Sequence, residues 1–172
     1  NSVSLDNYDV GYKGGSYLVK KNYKNIVFLI GEKKFLSTQL RIKGFENAVM
    51  DSDVTYSIRD GVDTIEKAYR AALDALDTVP VEAFFVSGDE RAIGVYKAIN
   101  EKNYKIPQDV AVLGIDNIPL GQYLYPPIST VEQDFKQLAY ECINNLMQSF
   151  EGKDNINKKI RIPAKIIERE ST

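Results

Sequence analysis

Histidine is absent from this 172-residue chain. Its absence removes the commonest general base and the commonest neutral metal ligand, and so argues against imidazole-dependent hydrolysis and zinc chemistry. Cysteine occurs once, at Cys142; no internal disulfide can form, and a reducing compartment is fully compatible with that count. No apolar run approaches the roughly 20 residues that cross a bilayer. Neither sign of charge dominates: 22 Lys and Arg against 24 Asp and Glu leave a net charge of −2, which gives nucleic acid no electrostatic footprint. Neither a Walker A pattern nor G-x-G-x-x-G follows a strand-like run, and a G-x-S-x-G elbow is missing. Ser87 stands at a strand end with no histidine to activate it. The sequence thus assigns no catalytic residue, metal site or cofactor. It also lacks an initiator Met and a leader, and opens almost directly in strand-like sequence at Val3 and Leu5, as expected of a piece of a longer protein.

What is present is an ordinary globular composition, 44% hydrophobic and 27% charged, in a chain long enough to bury a core without disulfides or metal. The organising stretch is VEAFFVSGDERAIGVYKAINEKNYKIPQDVAVLGIDN, Val81 to Asn117. An apolar run stops at Ser87-Gly88-Asp89, a helical pattern follows through Ala92, Ile93, Tyr96 and Ile99, and a second apolar run ends on Asp116. That is a β-α-β unit. Strands are further expected near Val3–Asp6, Ile26–Ile30, Val54–Ile58, Ile128–Val131 and Ile160–Ile167. Helices are expected from Asn7, acting as cap, to Lys21; from the N-cap Ser37 to Met50; over Ile65 to Leu76; and, most clearly amphipathic, over Glu132 to Phe150 with Gly152 as stop. Gly11, Gly14 and Gly15 weaken the first helix but would let it approach a neighbour closely. The alternation predicts an α/β fold with a doubly wound parallel sheet.

Parallel strands end at one sheet edge, where open α/β sheets bind ligands. Asp89 and Asp116 are therefore expected side by side on that rim, as in a receptor for hydroxyl-rich or cationic small molecules. The plainer alternatives are that Asp89 caps its helix and Asp116 starts a turn. Arg41, in the R-x-x-G-F segment with Gly44 and Phe45, offers bidentate donors near the same edge, or is a solvated helix arginine.

The run DNYDVGYKGGSYLVKKNYKNIVFLIG, followed by RIKGF, VSGDERAIG, AVLGIDN, PPISTVEQDF and the closing RIPAKIIERES, resembles the lac- and galactose-repressor-like (LacI/GalR) regulators over nearly the whole chain. The resemblance implies a periplasmic-binding-protein-like core of two lobes, of which this chain is mostly the C-terminal one. Residues 1–117 would form that lobe, 118–158 a crossover and an amphipathic helix of the other lobe, and 159–172 a return strand and tail. Interlobe crossings would fall near Val3–Asp6, Asn117–Val131 and Ile156–Ile160, and the apolar stripe of the helix over Glu132–Phe150 would lack its usual partner. Effector contacts carry over onto Asp6, Arg41, Asp89, Asp116 and Gln133. The family often has Asn or Asp where Gly88 stands, and its ligand-stacking aromatic is replaced near Val62 or Asp63, which leaves Phe35 or Tyr56 as substitutes. Tyr23 stands where the family has a histidine.

The expectation is then a ligand-sensing, dimerising core of a cytoplasmic transcription regulator. It would bind a small effector, a sugar or sugar derivative, in an interlobe cleft, and reach DNA only through a headpiece outside this chain. A homodimer surface is expected around the helix from Glu90 to Glu101, with Ala92 and Tyr96, and around Tyr123 and Tyr125. No membrane contact and no cofactor are expected. The rival reading is a periplasmic or secreted sugar-binding receptor of a transporter.

Overall fold

A computed structural model describes residues 2–150 and 159–172. Strands β1 (Ser2–Leu5), β2 (Asn25–Leu29), β3 (Thr55–Arg59), β4 (Ala83–Val86), β5 (Ala111–Ile115), β6 (Ser129–Gln133), β7 (Lys159–Ile162) and β8 (Ala164–Ile167) are joined by helices α1 (Asn7–Lys20), α2 (Leu36–Val49), α3 (Ile65–Thr78), α4 (Asp89–Glu101) and α5 (Phe135–Phe150). The main sheet runs β3-β2-β4-β5-β6-β8, parallel except for the antiparallel edge strand β8. A separate parallel pair joins β1 to β7. The fold is the α/β arrangement that the alternation of strands and helices predicts.

Side-chain alternation along the central strands divides the interior in two. Val27, Leu29, Phe84, Val86 and Val112 face α3 and α4, meeting Ala68, Ala72, Ala75, Val95 and Ile99. Ile26, Phe28, Ala83, Phe85, Leu113 and Ile115 face α1 and α2, meeting Val10, Leu18, Phe45 and Val49. Phe28 stacks on Phe85 at 4.4 Å between ring centres and leans on Phe45 at 5.1 Å. Each such buried ring contributes roughly 1.5–3 kcal/mol, and together they lock the strands that carry the polar edge. Helices α1 and α2 cross almost backbone to backbone: a Cβ on Gly11 would lie 1.9 Å from the Arg41 carbonyl oxygen, and one on Gly44 2.1 Å from that of Tyr8. The glycines that weaken α1 as an isolated helix are what allow α2 to bring Arg41 over the sheet.

Local expectations differ from the structure in four places. The last helix begins at Phe135 and not at Glu132, because Glu132 and Gln133 extend β6 against β8. Helix α1 is capped by Asp6, whose side chain accepts from the Asp9 backbone N–H at 3.0 Å, and not by Asn7. Helix α2 begins at Leu36 behind Phe35, with no side-chain cap, so Ser37 lies inside its first turn. The alternating run Ile160–Ile167 is two strands in two sheets, split at Pro163, which has no N–H for a continuous ladder. Gly152 and the expected crossing near Ile156 lie outside the described residues. Helix α5 packs along β1 and β7 and buries none of its residues; Phe135, Ile143, Leu146, Met147 and Phe150 are all exposed.

Candidate functional site

The parallel strands β2, β4, β5 and β6 end on one edge, and Arg41 reaches across it from α2. Its Nε donates to Asn7 Oδ1 at 2.9 Å, one terminal nitrogen donates to Ser87 Oγ at 2.8 Å, and the other donates to Gln133 Oε1 at 3.2 Å. Gln133 in turn donates through Nε2 to Asp116 Oδ1. One guanidinium thus ties the start of α1, the end of β4 and the end of β6 together, and one amide hands the connection on to the end of β5. Burial pulls the Arg41 guanidinium below its ordinary value, opposed by attraction from Asp116 and reinforced by repulsion from Arg91. Asp116 is raised, first by burial, against the hydrogen bond from Gln133 and the fields of Arg41 and Arg91. It sits at φ +110° and its neighbour Asn117 at φ +55°. Asp116 therefore does start a turn, and it joins the polar edge as well.

Asp89 behaves differently. It is 1% exposed; Thr130 Oγ1 donates to its Oδ1 at 2.7 Å and the Ile118 N–H to its Oδ2 at 3.0 Å. Burial pushes its carboxyl up to about 6 in spite of these donors. A Cβ on Gly114 would lie 2.0 Å from Oδ1, so β5 is bare at the point where the carboxyl lodges. Neither an exposed effector contact nor a cap, Asp89 is an internal tether that holds the β5–β6 connection to the end of β4.

A hollow of about 240 Å³ opens at this edge, lined among others by Phe35, Thr38, Arg41, Ser87 and Arg91. Larger hollows of about 610 and 440 Å³ open at the opposite, amino edge, around Tyr104, Gln108 and Pro126; they lack the convergent side chains of the Arg41 network. Of the residues singled out from sequence, Phe35 and Arg41 line the small hollow, and Gln133 and Asp116 adjoin it through Arg41. Asp6 caps α1, and Asp89 turns inward. On the expected dimer face, Ala92 at 0% and Tyr96 at 4% exposure are core residues. The Tyr96 hydroxyl donates to the Pro126 carbonyl at 2.9 Å, so neither is available to a partner. Tyr123 and Tyr125, at 76% and 92%, are open. The sequence reading missed Asn7 and Ser87 as Arg41 acceptors and Arg91 as a second cation. Their positions at a helix start, a strand end and a first helical turn were visible, but not the direction in which each side chain points. Among the described residues no three His, Cys, Asp or Glu side chains converge as a metal site would need, and no helix is long and apolar enough to cross a membrane.

The periplasmic binding protein-like domain family matches residues 16–172. An HTH-type transcriptional repressor PurR from Histophilus somni is 30% identical, the alignment covering 98% of this chain and 52% of the repressor. This chain thus spans about half the length of the curated relatives it matches. A LacI-family regulatory protein from Chloroflexus aggregans superposes with a TM-score of 0.92 at 27% identity, over 98% of this chain and 62% of that one. A periplasmic binding protein/LacI transcriptional regulator from Alkaliphilus metalliredigens, complexed with D-xylulofuranose, superposes with a TM-score of 0.85 at 29% identity, over 99% and 65%.

Proposed function

This chain belongs to the periplasmic binding protein-like domain family, in the form carried by LacI-type regulators, and on that footing we propose that its polar edge is half of an effector-binding cleft. The observation that carries the reading is the continuous hydrogen-bonded set Asn7–Arg41–Ser87–Gln133–Asp116. Five chain segments converge there on groups suited to sugar hydroxyls, planar bidentate donors on Arg41 and an acceptor carboxylate on Asp116. The sugar seen in the Alkaliphilus neighbour supports a polyhydroxylated effector.

In this reading a second lobe covers the edge, and the exposed apolar stripe of α5 packs within that lobe. An effector that bridges both lobes favours their closed arrangement and shifts its population. Coupling of roughly 1–3 kcal/mol gives about 5–150-fold control of a DNA-binding segment outside this chain. The protein acts in the cytoplasm as a homodimer, with Tyr123 and Tyr125 on the shared surface, and performs no catalysis. The regulators among its relatives favour this over a transport receptor. A thermal-shift screen of the intact core, both lobes included, against sugars, sugar phosphates and purines tests it: an effector raises the melting temperature, and Asp116→Asn abolishes the largest shift. An unchanged shift removes Asp116 from the site.

A further inference from the structure

We propose that the hollow between α2 and α4 takes the anionic group, a phosphate or a carboxylate, of the polyhydroxylated effector, clamped between Arg41 and Arg91. The inference rests on the reading of this edge as an effector site and narrows the class of effector.

Both guanidinium groups line the same 240 Å³ hollow, together with the hydroxyls of Thr38 and Ser87. The acids on its wall are already engaged, Glu32 by Lys34 and Asp63 by Lys67 at 2.7 Å. Among the described residues no ion pair joins Arg41 or Arg91 to a carboxylate. Arg91 donates one hydrogen bond among the described residues, to the Val62 carbonyl at 3.1 Å, while a guanidinium carries five N–H donors in a planar fork. Its head has room at the mouth because Gly88 carries no side chain. A Cβ on Gly88 would lie 2.8 Å from Arg91 Nε and 2.9 Å from a terminal nitrogen, and one on Gly31 3.7 Å from the other. Any side chain at position 88 would displace the guanidinium from this place. Two like charges facing one cavity repel, and an anion between them turns that repulsion into two charge-assisted contacts. A neutral polyol satisfies Arg41 and Asp116 but leaves the fork of Arg91 empty.

The test pairs neutral sugars with their charged counterparts on the intact core, both lobes included, by calorimetric titration: ribose with ribose 5-phosphate, and glucose with glucose 6-phosphate and gluconate. Inorganic phosphate serves as the bare probe, followed by amide NMR. The charged member of a pair binds at least about tenfold tighter than its parent, and the advantage shrinks as NaCl is raised. Phosphate moves the Gly88 and Arg91 amide signals. Arg91→Met removes the advantage and the signal changes, and Arg91→Lys, which keeps a point charge without the fork, retains part of both. A phosphate-only or acid-only preference identifies the group. Equal binding of neutral and charged sugars that still depends on Asp116 overturns this inference and leaves the effector site standing. Arg91→Met with an undiminished advantage overturns it as well. If neither class binds and phosphate moves no signal, both proposals fall.

Discussion

Asp89 and Asp116 look like twins in the sequence. Each ends an apolar strand, the strands are neighbours and parallel, and both acids reach the same rim. In the structure they part company. Asp89 points under the rim, where Thr130 and the Ile118 N–H occupy both of its oxygens. Asp116 stands on the rim in a left-handed turn, joined through Gln133 to an arginine that spans four segments. The first acid builds the edge and the second equips it. A carboxylate beside a binding edge is thus assigned to the fold or to the ligand by where its lone pairs go, not by its place along the strand.

The largest expected effect breaks that contrast if it fails. Asp89→Ala leaves the Ile118 N–H and the Thr130 hydroxyl unpaired in the interior. At roughly 1–3 kcal/mol for each stranded donor, the loss of stability in urea denaturation is about 3–4 kcal/mol. Asp116→Ala strands one donor, the amide of the buried Gln133, where Asp89→Ala strands two, and costs about 1–2 kcal/mol. Equal losses would mean that both acids are structural.

A second, somewhat smaller effect separates them by pH. The Asp89 carboxyl is raised from 3.8 to about 6 in the folded chain, so folding favours its protonated form. That contribution is complete below about pH 3.8 and is lost as pH rises through 6, on the order of 2–3 kcal/mol in all. Urea midpoints of the native chain should therefore fall between pH 4 and pH 6.5. Asp89→Asn flattens most of this slope. Asp116 is shifted in the same direction, so a shallow slope of the same sign persists in that variant. A slope untouched by Asp89→Asn would place the titration elsewhere.

The sequence made the sheet legible because each central strand is a bounded apolar run and each following helix has a stripe at helical spacing; those patterns depend on burial alone. Arg41, Asp116 and Gln133 were recoverable as a group because the resemblance spans several segments in order. The rest depended on direction. Nothing in SGDERA separates a carboxyl that turns under β5 from one that faces solvent, and the deciding residue is Gly114, 25 positions on. Ala92 and Tyr96 were placed on a dimer surface by the resemblance alone, since the residues between them, Ile93, Gly94 and Val95, are apolar. Yet α3 covers that side, and Tyr96 spends its hydroxyl on Pro126. Pro163 cut one alternating run into two sheets, which the period of two cannot reveal.

The smallest effect sharpens what fixes Asp116 in place. Asn117, next to it, also has positive φ. Its Oδ1 accepts from Arg169 at 2.8 Å and its Nδ2 donates to Glu132 Oε1 at 2.8 Å. Arg169 in turn donates to the Ile128 carbonyl at 2.7 Å, so the tail of the chain braces the turn that carries Asp116. Asn117→Gly isolates the brace from the backbone, since glycine adopts the left-handed conformation at least as readily. The two side-chain bonds disappear, at about 1 kcal/mol of stability. If they position Asp116, effector affinity falls several-fold while the Asp89-dependent pH slope keeps its size. If the turn is set by its backbone alone, affinity is unchanged and the tail only secures the sheet edge. Titration of Asn117→Gly with the ligand that gives the largest thermal shift, beside its urea curves at pH 4 and pH 6.5, separates these outcomes, because the two acids answer to different readouts of one substitution.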